Sequence, residues 1–235
     1  MKTLRAAAGP FLERPYFKSE EIERICIDEL QAAKLYPDAP SPVRIDRFIE
    51  RKFNVTPIYN DLPEDVLGYT EFGENGVQAI VVSRALSEEG TKTAEYRLNT
   101  TLGHEAGHGL LHSYLFALAA QSSPLFNDED VNSTKILCRN QGEPSPSTRK
   151  RYDGKWWEYQ ANQCMAALLL PKPLVAKCMI PFLENQGLLG IAVLPGAQRD
   201  HAINHVAGVF QVNPVVARIR IGELYPKSEE KQLVL

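Results

Sequence analysis

The chain has 235 residues, 44% of them hydrophobic, with 26 Lys+Arg against 29 Asp+Glu and a formal net charge of −3. These figures suit a globular protein with one substantial core or two small domains, and the charge leaves no electrostatic footprint for direct nucleic-acid binding. No run approaches the roughly 18 apolar residues of a membrane span, and MKTLRAAAGPFLERPYF holds no signal-peptide core, so a cytoplasmic protein with no membrane partner is expected. Cys26, Cys138, Cys164 and Cys178 form no C-x-x-C pair, which predicts reduced thiols rather than a disulfide framework or zinc ribbon.

Apolar Ile22, Ile25, Cys26, Leu30 and Ala33 predict a helix over 19–36 capped by Ser19, with Pro37, Pro40 and Pro42 ending it. A short helix follows over about 43–53. NVTPIY, LGYTEF and VQAIVV, the last two separated by the turn GENG, then predict a small antiparallel β-sheet. Residues 93–119 contain no proline and read as one continuous helix. Residues 121–154 are polar and irregular, a long loop of the kind that is functional or mobile. WWEYQANQCMAALLLP predicts a helix stopped by Pro171, and two or three further helices follow, the last opening at Asn213-Pro214. There are no internal repeats. The division this suggests is an N-terminal helical extension (1–40), a core (41–172) containing the long loop, and a C-terminal helical part (173–235).

HEAGHGLLH, residues 104–112, holds three of the five histidines. A shuffled chain of this composition would contain H-E-x-x-H about one time in a hundred. Residues four apart share a helix face, so His104 and His108 can offer two imidazole nitrogens to one ion. Glu105 sits one step around the helix, poorly placed as a ligand and well placed to reach a water on the open side of the metal. Catalytic zinc usually takes three protein ligands. Position 114 is Tyr where a metzincin would have its third His, and His112 lies about 12 Å along the axis from His104, too far to share one ion. His112 reads instead as a hydrogen-bond partner of a ligand or a satisfied core histidine. The third ligand is then a carboxylate from a later segment. Asp128, Glu129 and Asp130 are candidates within a polar run that otherwise reads as solvated surface. Glu158, at the head of an apolar helix, is favoured, with Asn162 one turn on to hydrogen-bond a ligand or the water. Glu158 has a bland reading too, as an acid stabilised by a helix N-terminus.

A second H-x-x-x-H, His201 and His205, lacks a neighbouring Glu and reads first as surface. One of the pair is a candidate to steady the oxyanion of a tetrahedral intermediate, alongside Tyr114, Tyr152 and Tyr159. Cys138 is either a small apolar anchor for its loop or an inhibitory thiol in the water's position; as a fourth ligand it would make the zinc structural.

RLNTTLGHEAGHGLLH followed some fifty residues later by EYQANQCMAALLLP resembles the ImmA/IrrE metallopeptidases, with their T-L-x-H-E-x-G-H-x-x-x-H helix and E-x-x-A-N stretch running to L-L-x-P. The likeness covers about 43–171, and FQVNPVVARIRIGEL resembles the family's closing helix. Cys164 and Met165 depart from its usual Phe and smaller residue. The resemblance implies an α+β, mainly helical zincin-like domain of the gluzincin kind with its small antiparallel sheet before the HExxH helix. It also implies His104, His108 and Glu158 as ligands of one Zn2+ (Mn2+ also suits the donor set) and Glu105 as general base. The substrate it implies is a protein, a helix-turn-helix transcription regulator cut in response to stress or in mobile elements. The alternative is a non-proteolytic, metal-containing module that sequesters a regulator or antitoxin. Oligomeric state, trigger and cleavage site are left open.

Overall fold

A computed structural model describes residues 2–5, 13–73, 75–122, 135–139, 156–186 and 191–226. The protein is a mixed α+β structure. Strands β1 (Lys2–Arg5) and β2 (Glu13–Tyr16) form an antiparallel hairpin ahead of helix α1 (Ser19–Ala32). Lys18, not Ser19, is the N-cap, and its amide donates to the Glu21 carboxylate at 2.8 Å. Ile22, Cys26 and Leu30, spaced by four, are the buried stripe of α1; burying a side chain such as Leu30 contributes about 1.5–3 kcal/mol. Helix α2 (Ile45–Phe53) buries Ile45, Phe48 and Ile49 and stops at Asn54 in the left-handed region, φ 58°.

Strands β3 (Ile58–Asn60), β4 (Val66–Gly73), β5 (Gly76–Ser83) and β6 (Lys135–Arg139) form one sheet in the order β3-β5-β4-β6. β4 runs antiparallel to both neighbours, but β3 runs parallel to β5, so the sheet is mixed where a purely antiparallel one was expected. The cause is chain routing. β3, β4 and β5 alternate in direction, and β3 pairs with β5 rather than with its sequence neighbour. β6 is a further difference, a strand inside the stretch expected to be loop, and it follows the HExxH helix.

Helix α3 (Arg84–Glu88) leads into the long helix α4 (Lys92–Ser122). Leu102 to Gly109 of α4 are buried without interruption, because the sheet covers one side of the helix and α5 (Trp156–Leu169) another. Gly68 of β4 marks the approach of the sheet: a Cβ there would lie 2.9 Å from the Val81 carbonyl oxygen and 3.0 Å from Thr101 Cγ2. α6 (Lys172–Met179), the hairpin of β7 (Glu184–Gln186) and β8 (Ile191–Val193), α7 (Arg199–Phe210) and α8 (Pro214–Leu224) complete the order. α8 opens as its sequence predicts, the Asn213 side chain accepting from the Val215 amide at 2.9 Å. One cluster of buried residues takes in Ile22 and Leu30, Phe48, Ile80, Leu102, Leu168, Phe210 and Ile221, so α1, α7 and α8 share the core of the middle. Cys26 and Cys164 meet inside it with sulfurs 3.4 Å apart, both as free thiols. Among the described residues no single helix is long and apolar enough to cross a membrane.

Candidate metal centre

α4 and α5 pack antiparallel, Gly103 against Met165 and Leu169, Gly107 against Ala161 and Cys164, and His112 against Trp156. The two glycines permit the close crossing. A Cβ on Gly107 would stand 2.8 Å from the Ala161 carbonyl oxygen, a backbone atom that cannot swing aside. Gly107→Ala should gain up to about 1 kcal/mol of helix propensity and lose about 1–3 kcal/mol to overpacking. The helices would be pushed apart where His104 and Glu158 meet. A lower Tm and weaker divalent-metal binding by chelator competition are expected; a variant that binds metal as tightly as the wild type would refute the account.

Across this crossing three side chains converge. His104 Nε2 lies 3.1 Å from Glu158 Oε2 and 3.0 Å from His108 Nε2, while His108 Nε2 lies 3.6 Å from Glu158 Oε1. One ligand atom from each residue falls within 4.8 Å of the others, so His104, His108 and Glu158 form a group able to hold a metal ion. Both imidazoles are buried and Glu158 is largely so, at the N-terminal turn of α5 where the helix dipole favours its charge. Asn162 Oδ1 stands 3.1 Å from His104 Nδ1; an amide oxygen only accepts, so Nδ1 carries a proton and Nε2 is the ring atom that faces the cluster.

The electrostatics favour a cation. Burial opposes charge on His104, yet the hydrogen bond to Glu158 and the negative charge of Glu105 hold its pKa above the ordinary value. Burial dominates at His108 and lowers it to about 4. Burial alone would raise Glu158, but the His104 and His108 imidazoles that face it bring it well below the usual carboxylate range.

Glu105 is fully buried beside this group and is not one of the converging atoms. Thr70 Oγ1, from the inward face of β4, donates to Glu105 Oε2 at 2.6 Å, and Oε1 has no hydrogen-bond partner among the described residues. Burial raises the carboxyl pKa to about 7 against the lowering effects of His104 and Thr70, which makes Glu105 a proton acceptor near neutrality. His112, completely buried, places Nδ1 3.0 Å from His108 Nδ1 and Nε2 3.2 Å from Gln160 Oε1.

The other expected residues fall elsewhere. His201 and His205 are exposed on α7, the ring of His205 5.2 Å from Phe182, and Tyr159 is 54% exposed on α5. Cys138 lies on strand β6 paired with Gly68, not mid-loop, and its side chain falls outside the described residues. Asp128, Glu129, Asp130 and Tyr152 also lie outside them. Sequence reasoning missed Thr70 and Gln160. Each carried a usable signal, a polar residue on the buried face of an element that is otherwise apolar there. A scan against protein-family models and a search of curated proteins both return no match for the chain.

Proposed function

We propose that the chain is a zinc-dependent endopeptidase of the ImmA/IrrE kind that cuts a helix-turn-helix transcription regulator. The observation that carries the chemistry is the meeting of three ligand atoms beside a second, fully buried carboxylate, Glu105, which is not among them and keeps one oxygen without a hydrogen-bond partner among the described residues. Zinc suits the donor set. At bond lengths of about 2.0–2.2 Å, ligands of a tetrahedral ion lie about 3.3–3.6 Å apart, within a few tenths of an ångström of the separations in this cluster. Manganese suits the same donors and is the alternative ion.

His104, His108 and Glu158 would hold the ion and leave room for solvent, Asn162 keeping His104 in the ligating tautomer. Bound there, zinc supplies Lewis acidity toward the scissile carbonyl and lowers the pKa of a coordinated water to about 7. Glu105 accepts one proton from the attacking water as oxygen adds to the carbonyl carbon, then delivers it to the amide nitrogen as the C–N bond breaks. Thr70 keeps Oε2 engaged, so Oε1 is the oxygen that moves the proton. The regulator as substrate rests on the resemblance of residues 43–171 to the family.

Elemental mass spectrometry of natively purified protein should find close to one zinc per chain. Saturation at a thousand times Kd is worth about 4 kcal/mol, so chelation should lower Tm by roughly 8–16 °C for a chain of this size. Zinc-loaded protein should cut a proteome-derived peptide library at chelator-sensitive sites. A chain that neither carries nor binds zinc overturns the reading, and a zinc-loaded chain that cuts nothing in the library points to the sequestering module instead.

A further inference from the structure

We propose that Gln160 and His112 form a one-way hydrogen-bond relay, anchored on the Pro15 carbonyl of the N-terminal hairpin, that fixes His108 in the tautomer able to bind metal. The proposal rests on the reading of His108 as a ligand.

The direction follows from the one member with no choice. A backbone carbonyl only accepts, so the contact of 2.7 Å between Gln160 Nε2 and Pro15 O makes Nε2 the donor and settles which way the amide faces. Gln160 therefore turns Oε1 toward His112 Nε2, 3.2 Å away, and an amide oxygen likewise only accepts. His112 must carry its proton on Nε2. A neutral imidazole carries one proton, so with Nε2 protonated Nδ1 is bare. The contact of 3.0 Å between the two Nδ1 atoms then needs a proton from His108, whose Nε2 is left as a lone pair aimed at His104 Nε2 and Glu158. Turning the Gln160 amide over would reverse every link and put a proton on His108 Nε2, the atom needed for ligation. The two ligating imidazoles are thus served differently, His104 directly by Asn162 and His108 through two side chains and a strand at the other end of the sequence.

Gln160 and His112 are positioning residues on this account. The test uses long-range 1H–15N correlation of the histidine rings, in zinc-loaded and in chelator-treated protein. His112 should carry its proton on Nε2 in both, and His108 should carry its proton on Nδ1 in both. Gln160→Met, close in volume but unable to accept, should randomise the His112 tautomer and weaken zinc binding about 10–100-fold by chelator competition. Gln160→Glu, which must be protonated to face the Pro15 carbonyl, donates there as the amide does and keeps an acceptor facing Nε2, so it should hold both tautomers and most of the zinc affinity. A packing role predicts the opposite order, since an apolar Met is better tolerated in a buried site than a carboxylate. Protonated Nδ1 on His112 of the wild type, or a Gln160→Met protein binding zinc as tightly as the wild type, overturns the relay while leaving the metal site standing. If the wild type binds no zinc, the metal reading fails, and the His112 tautomer in the metal-free protein still decides the relay.

Discussion

Exchanging Glu105 for Gln is expected to leave zinc bound and to slow peptide hydrolysis by about 10²–10⁴-fold, the usual contribution of a general acid–base group. The substitution is close to isosteric and can keep an oxygen facing Thr70 Oγ1, so the packing between β4 and α4 should survive. It abolishes proton transfer, because an amide takes up no proton at neutral pH. Zinc affinity should stay within a few-fold of the wild type, since Glu105 is not among the converging ligand atoms. Comparing kcat on a peptide recovered from the library with the zinc Kd separates the two effects. Turnover at the wild-type rate would remove Glu105 from the mechanism; loss of zinc together with activity would make it a ligand.

What the sequence revealed of this site follows from the range over which each constraint acts. Helix periodicity fixes where residues lie relative to others on the same helix, so His104 with His108 and Glu158 with Asn162 could be paired on single faces from spacing alone. The crossing that joins the pairs was legible only indirectly, through Gly103 and Gly107 on one helix and Ala161 on the other, small residues whose meaning depends on the partner. Thr70 and Gln160 act across the fold, on Glu105 from a strand 35 residues earlier and on Pro15 from a helix 145 residues later, and no local pattern encodes such partners. The sheet divides in the same way. β-Branched and aromatic content marked β4 and β5, whereas the parallel placing of β3 depends on which edge a three-residue strand reaches. β6 was hidden because KILCR sits in a long polar stretch and gains its partner only when β4 is already in place.

The same long-range logic makes Arg220 the most consequential residue outside the site. Its guanidinium is buried and donates through Nε and Nη2 to the Leu170 carbonyl, at 3.2 and 3.1 Å. That carbonyl lies just beyond the C-terminus of α5, where Pro171 ends the helix and a cation complements its dipole. Nη2 also pairs with the Glu23 carboxylate of α1, so one side chain of α8 ties three helices together. Arg220→Met should remove the charge and leave Glu23, 16% exposed, uncompensated. Breaking a buried pair from one side costs about 3–5 kcal/mol, which for this chain length is a fall in Tm of roughly 6–20 °C. Replacing both partners, Glu23→Leu with Arg220→Met, removes the stranded charge and should recover most of that loss. The residue left over is about 1–3 kcal/mol for the Leu170 carbonyl without its donor. A double variant no more stable than the single one would mean that Arg220 acts only through Leu170. Zinc affinity in the double variant should stay close to the wild type, because Glu158 sits at the opposite end of α5, three turns from the tie.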